Sequence, residues 1–312
     1  MGSNSTFAAR RTSLFLAGAA AAALAAAAVP AAADGRALPE DGGTVLAASL
    51  RGANEVPVAG GPAVGDRDGA ALEFIRIEGD TVSVAVSWRG TGKPTRLHLH
   101  EGARGTNGGV ALDFTELLDR GGKHRARGSV EVEDAALLAR LKSEPGAFYA
   151  NLHTSRYPGG AVRGQLHQVT TAVDFRHVFD NFQATVVKGE QIYECKPAAT
   201  GGHAYAQRDV GAVLARRIAH SFVAPNSGTP QWVAPDGSAV TGAVLTRTPN
   251  GDGNIPELDL KATASGKHRG LLAGTAEILR LNTVGGVAPA GSCAPGSVVG
   301  VPYRADYVFV QR

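Results

Sequence analysis

The feature that most constrains this chain is an alternation of apolar and polar residues with a period of two, broken at short intervals by turn formers. It is clearest from Leu72 to Ile77 and again from Thr81 to Trp88, with Glu78-Gly79-Asp80 between them. Successive side chains of a strand point to opposite faces, so this pattern predicts a hairpin with one buried and one wetted face. Further strands are expected at residues 96–100, 148–153 and 161–169, then at 191–195, 239–247, 271–281 and 303–310. Helix is expected at 134–142, where Asp134 caps and Leu137, Leu138 and Leu141 share a face, and in a short stretch at 210–219. With 41 glycines and 16 prolines in 312 residues, turns are too frequent for long helices. The expectation is a mainly β protein, with two β-sandwich-like domains in tandem.

Residues 1–33 read as a secretory signal peptide. Arg10 and Arg11 form a positive start, an uncharged apolar run extends from Leu14 to Ala28, and Ala31-Ala32-Ala33 supplies the small residues of a cleavage site. The adjacent arginines leave a twin-arginine route open. Residues 34–43 then form a linker, 44–168 the first domain and 173–312 the second. Beyond the leader no stretch is long or apolar enough for a transmembrane helix. The formal net charge is +3, and two of its cations lie in the leader, so no basic surface for nucleic acid is expected. A content of 44% hydrophobic and 19% charged residues excludes wholesale disorder.

Two cysteines occur, Cys195 and Cys293, and they form no CxxC pair. Zinc ribbons and thioredoxin-like chemistry are thereby excluded, and export to an oxidising compartment favours a disulfide between them. There is no GxSxG elbow, no HExxH and no phosphate-binding loop. Asn250-Gly251-Asp252-Gly253-Asn254 opens like a calcium loop but lacks its central glycine and terminal glutamate, and reads as a polar hairpin turn. Carboxylates such as Asp113, Glu116 and Glu257 are scattered, and spacing alone does not pair them.

Three ordered motifs carry a family resemblance. They are Leu50-Arg51-Gly52-Ala53-Asn54-Glu55-Val56-Pro57, then Leu97-His98-Leu99-His100-Glu101-Gly102 with Gly105-Thr106-Asn107-Gly108-Gly109. The third is Phe148-Tyr149-Ala150-Asn151-Leu152-His153-Thr154 with Tyr157-Pro158-Gly159-Gly160-Ala161-Val162-Arg163-Gly164-Gln165. Together they resemble a chordin-type (CHRD) domain. The resemblance implies an extracellular β-sandwich of immunoglobulin/superoxide-dismutase-like architecture, with no established enzymatic activity. The family usually carries an acidic residue where Ala161 stands, so any role of that carboxylate is lost here. In the second half, Gln191-Ile192-Tyr193-Glu194-Cys195, Pro230-Gln231-Trp232, the segment from Leu281 to Pro289 and the ending from Val301 to Phe309 resemble the domain of unknown function 3455 family of bacterial and fungal secreted proteins. That family usually has an aromatic after its Ile-Pro pair, whereas this chain has Glu257.

His98 and His100 lie two apart on an expected strand, so their imidazoles share a face, with Leu97 and Leu99 on the other. His153 ends another expected strand. Three converging neutral imidazoles are a common way to hold zinc or copper. The segment from His98 to Gly102 is also similar to the copper-ligand strand of copper–zinc superoxide dismutases. Between His100 and His153, however, only His124 is available for the rest of that site. The reading is a secreted, non-enzymatic binding module whose partner is an unidentified extracellular protein or envelope ligand. Its alternative is a dismutase-like, metal-dependent oxidoreductase built on His98, His100 and His153.

Overall fold

The alternating segment forms the expected hairpin: β2 (Ala70–Glu78), which follows β1 (Thr44–Arg51), pairs antiparallel with β3 (Thr81–Arg89). Gly79, at φ +62°, supplies the backbone sense that the two-residue turn requires. This computed structural model describes Met1 and residues 43–312, except 120 and 200. The expected signal peptide, and the linker up to residue 42, lie outside the described residues.

The first half continues through β4 (Pro94–Glu101), β5 (Val110–Asp113), α1 (Thr115–Leu118), β6 (Arg125–Glu131), α2 (Ala135–Ser143), β7 (Phe148–Thr154), β8 (Val162–Gln165) and β9 (His167–Val169). The strands make one sheet in the order β5-β4-β7-β8-β1-β2-β3-β6, with β9 also on β1. Its two edge strands, β5 and β6, are neighbours in sequence, joined through α1. Leu117 of α1 packs so closely on Gly128 of β6 that a Cβ there would lie 2.5 Å from the leucine. The sheet therefore curls about a single core, with α1 standing at its open side. Helix α2 begins where the sequence places it, with the Asp134 carboxylate accepting from the Leu137 N–H at 2.9 Å.

The second half comprises β10 (Phe182–Pro197), β11 (His203–Leu214), β12 (Ala219–Phe222), β13 (Pro230–Val233), β14 (Ala239–Thr248), β15 (Glu257–Ala264), β16 (Thr275–Gly285) and β17 (Val298–Gln311). Each pairs with the next and β17 returns to β10, closing an antiparallel barrel. The molecule is thus mainly β, with a curled sheet followed by a barrel. The helix expected at 210–219 is instead the end of β11 and a turn. Val210, Ala212 and Leu214 are buried, whereas Gly211 and Val213 are exposed. That period-two pattern lines the barrel, and Arg216 and Arg217, both at positive φ, then break the strand. Cys195 and Cys293 are bonded, with Cα atoms 5.8 Å apart. The Asn250–Asn254 segment is the polar turn between β14 and β15, held by Asn250 donating to the Thr283 carbonyl at 2.8 Å.

Three apolar clusters follow from strand alternation. Leu46, Ala48 and Leu50 of β1 face the core of the curled sheet. Tyr303, Ala305, Tyr307 and Phe309 of β17 face the barrel interior. The opposite faces meet: Val45, Ala47, Leu72 and Phe74 pack with Leu279, Leu281, Val308 and Val310, together with Val173 and Val178 from the connecting segment. Burial on both faces explains the unbroken apolar runs Val45-Leu46-Ala47-Ala48 in β1 and Tyr307-Val308-Phe309-Val310 in β17.

Beside that apolar patch lies a polar lock. The buried Asp306 carboxylate pairs with Arg51 and accepts from Ser49 Oγ at 3.0 Å, Thr185 Oγ1 at 2.7 Å and Asn282 Nδ2 at 2.9 Å. Glu277 accepts from the backbone of Thr170 and Thr171. Glu257, which replaces the aromatic expected after Ile255-Pro256, is buried and takes an ion pair from Arg104 at 2.7 Å. It also accepts from the Asn282 N–H at 2.6 Å. The departure at this position thus ties a loop of the curled sheet to the barrel.

Candidate functional site

The register of β4 against β7 sets His98 opposite Asn151, His100 opposite Tyr149 and Arg96 opposite His153. Directly opposed residues share a face, so His98, His100, Tyr149, Asn151 and His153 gather on the outer side of the sheet. Leu97, Leu99, Ala150 and Leu152 fill the core behind it. The three histidines come together: one ring nitrogen from each lies within 4.8 Å of the other two. Ring centroids are 5.4 Å apart for His98–His100, 4.9 Å for His98–His153 and 6.2 Å for His100–His153. Among the described residues, no other group of three histidine, cysteine or acidic side chains is clustered for a metal.

Hydrogen bonding sets the tautomers. His100 Nδ1 lies 3.0 Å from the Gly108 carbonyl, and His153 Nδ1 lies 3.0 Å from the Pro158 carbonyl. A carbonyl only accepts, so both Nδ1 atoms carry the proton and both Nε2 atoms present a lone pair. Each of those Nε2 atoms is buried with no hydrogen-bond partner, as is Nδ1 of His98. His98 Nε2 points the other way, 3.6 Å from Asp113 on β5. A metal-bound imidazole has this arrangement, with one nitrogen fixed by a carbonyl or carboxylate and the other left as ligand. Burial lowers all three pKa values, that of His153 to about 4, so the rings are neutral at physiological pH. Separations of up to 4.8 Å exceed the roughly 3–4 Å between nitrogens sharing one ion at 2.0–2.1 Å, so coordination requires a small closing rotation of the rings.

The surrounding motif residues hold this face in shape. His100 stacks on Tyr149 at 4.9 Å, and the Arg163 guanidinium lies 3.4 Å from the same ring's centroid. Arg163 donates to the carbonyls of Ala103 and Thr106 and to Asn107, while Gln165 donates to the carbonyls of Gly102 and Gly146. These bonds pin the loop whose Gly108 carbonyl orients His100. Gly108 itself must be glycine, because a Cβ there would lie 1.5 Å from the Glu101 oxygen. Glu55 packs beside Asn151, and burial pushes its carboxyl up to about 8 against the opposing pull of Arg163.

Sequence reasoning found the three histidines and missed their neighbours. Asp113 had no visible partner until β5 placed it across from His98. Arg163 and Gln165 lay inside a recognised motif, but nothing in their spacing indicated that they brace the loop.

Residues 46–166 match the CHRD domain family, and residues 206–311 match a family described as a protein of unknown function (DUF3455). The two matches occur in the order given by the sequence motifs. No curated protein and no solved structure matches the chain.

Proposed function

We propose that the protein is an exported, non-enzymatic binding module whose CHRD half holds a zinc or copper ion between His98, His100 and His153. The observation that carries this reading is a cluster of three imidazoles, one nitrogen of each within 4.8 Å of the others, in which every ring keeps a buried nitrogen without a hydrogen-bond partner. Each such lone pair must meet a cation or a donor, since a buried polar atom left unpaired is destabilising by about 1–3 kcal/mol. Borderline-soft imidazole donors suit zinc and copper and disfavour magnesium or calcium. Export is supported by the leader pattern and by the Cys195–Cys293 disulfide, which fits an oxidising compartment. No helix among the described residues is long and apolar enough to cross a membrane. A dismutase-like oxidoreductase has no comparable support, because no second cluster of metal ligands accompanies the trio among the described residues.

The test is metal content after exposing the purified chain to equimolar zinc and copper and removing unbound ions. One ion per chain is expected, with loss in His98→Ala and in His153→Ala. Full metal content in both variants would place the ion elsewhere and make the trio structural. Failure of the unmodified chain to retain either metal would remove the proposal.

A further inference from the structure

The barrel interior is not completely filled by side chains. A closed eight-stranded barrel has an interior just wide enough to be filled by side chains or to hold one small ligand. Here the lumen keeps a cavity of about 70 Å³ that opens past the exposed Arg247. One wall is aromatic: His220 and Trp232 stack at 4.5 Å with an interplanar angle of 4°, and Tyr307 meets both edge-on. Another wall is aliphatic, from Val210, Leu258 and Leu260.

The polar atoms of this cavity are unbalanced. Trp232 Nε1, Gln191 Nε2 and Arg280 Nε are buried N–H donors with no acceptor. Gln191 turns its oxygen to Gln207 at 2.7 Å, which leaves its NH₂ unpaired. Arg280, only 8% exposed, donates from Nη2 to the Pro256 carbonyl at 2.8 Å and makes no ion pair with any described residue. Arg247 adds a second guanidinium, and no carboxylate lines the cavity. The His220 ring donates from Nδ1 to the Gln231 carbonyl, and burial lowers its pKa to about 3, so it brings no charge. A buried guanidinium without a counter-charge is strongly unfavourable, and each unmatched donor adds to that.

We infer that the barrel lumen is a binding site for a small organic carboxylate, its charge met by Arg280 and its apolar body lying between the aromatic and aliphatic walls. The cavity volume corresponds to roughly five to seven water-sized groups, which suits a short-chain acid better than a lipid or a sugar. Trp232 and Gln191 then supply the hydrogen bonds that orient the carboxylate, and Arg247 draws it through the mouth. This site lies in the other half of the molecule from the histidine trio and does not depend on it.

Butyrate is the probe, titrated into the full chain by calorimetry beside its neutral isostere butyramide and beside chloride. Saturable binding of butyrate is expected, with butyramide weaker by about tenfold or more, since a charge-assisted contact is lost. Arg280→Gln should abolish butyrate binding, and Arg247→Gln at the exposed rim should weaken it about threefold at low salt, a difference that shrinks as salt is raised. Equal binding of butyrate and butyramide, or no saturation by butyrate at about 20 mM, would overturn the proposal; a free energy below roughly 2.3 kcal/mol is too weak for such a site. Should Arg280→Gln prove unfolded by circular dichroism, the butyrate–butyramide comparison on the unmodified chain decides alone.

Discussion

The two halves handle buried polarity in opposite ways. In the curled sheet the interior is almost wholly apolar, and the side chains with chemical potential stand on the outer face of β4, β7 and β8. In the barrel the outer face of β16 and β17 is apolar where it meets the sheet, while the lumen holds Arg280, His220, Gln191, Trp232 and two tyrosines. Closure accounts for the difference. An open sheet tightens until its core is dry, with α1 filling the remaining gap, whereas a closed barrel has a radius fixed by strand number and keeps whatever space its side chains leave. Chemistry is therefore expected on the surface of the first half and in the interior of the second.

The largest effect should come from the barrel's covalent tie. Replacing Cys195 and Cys293 by serine opens a loop with a sequence separation of 98, for which the chain-entropy account gives a loss of about 4–5 kcal/mol. Denaturant unfolding measures it. A loss below about 1 kcal/mol would mean that closure by hydrogen bonding alone fixes the barrel.

The lock between the halves comes next. Asp306→Ala leaves Arg51 without its partner in a buried setting and should lower stability by about 3–5 kcal/mol. Burial raises the Asp306 pKa, but Arg51, Asn282 and Thr185 outweigh it and hold the carboxyl below its usual range. Its contribution is therefore complete above the unfolded carboxyl pKa of about 4 and is lost as pH falls through the folded value. Acid unfolding of Asp306→Asn should lack that component, and an unchanged acid limb would remove Asp306 from the account.

One residue breaks the contrast from within. Glu73 of β2 alternates with Leu72 and Phe74, so it points into the dry core of the sheet, fully buried, with neither carboxylate oxygen partnered. Burial raises its pKa to about 8. The folded state therefore holds a proton that the unfolded chain releases near pH 4.5, so stability should fall as pH rises from about 4.5 to 8. The total is on the order of 5 kcal/mol. Glu73→Gln should flatten that slope, as read by melting temperature against pH. A slope unchanged in the variant would mean that Glu73 is ionised and matched by a group the core does not reveal.

Much of this arrangement was legible in the residues, and the misses share a cause. The period of two gave the β2–β3 hairpin and the His98–His100 face, because both depend on local geometry alone. Asp134 signalled α2 because a cap acts within its own turn. At 210–219 the local composition suggests a helix, because the lumen-facing alternation is revealed only by the partners β10 and β12. The meeting of the halves was equally hidden: Val45 and Ala47 look like core residues of one domain until a second surface covers them. Glu257 stood out in the sequence only as a departure, and its meaning came with Arg104, which lies 153 positions away.

The smallest change sharpens the comparison most, because it asks whether two differently built halves melt as one. Asp134→Ala removes the side-chain cap of α2 at the surface of the first half and should lower stability by about 1 kcal/mol. The chain has two tryptophans, Trp88 in the core of the sheet and Trp232 in the barrel lumen, so each half carries its own fluorescent reporter. With a shared apolar cluster and the Asp306 and Glu257 pairs crossing the join, unfolding of one half strips a face of the other. Both reporters should therefore shift to the same new midpoint in the variant, although nothing near Trp232 has changed. If the Trp88 signal moves and the Trp232 signal stays, the contact between the halves is worth less than the cap itself. The polar lock would then order the two halves relative to one another without making either depend on the other for its fold.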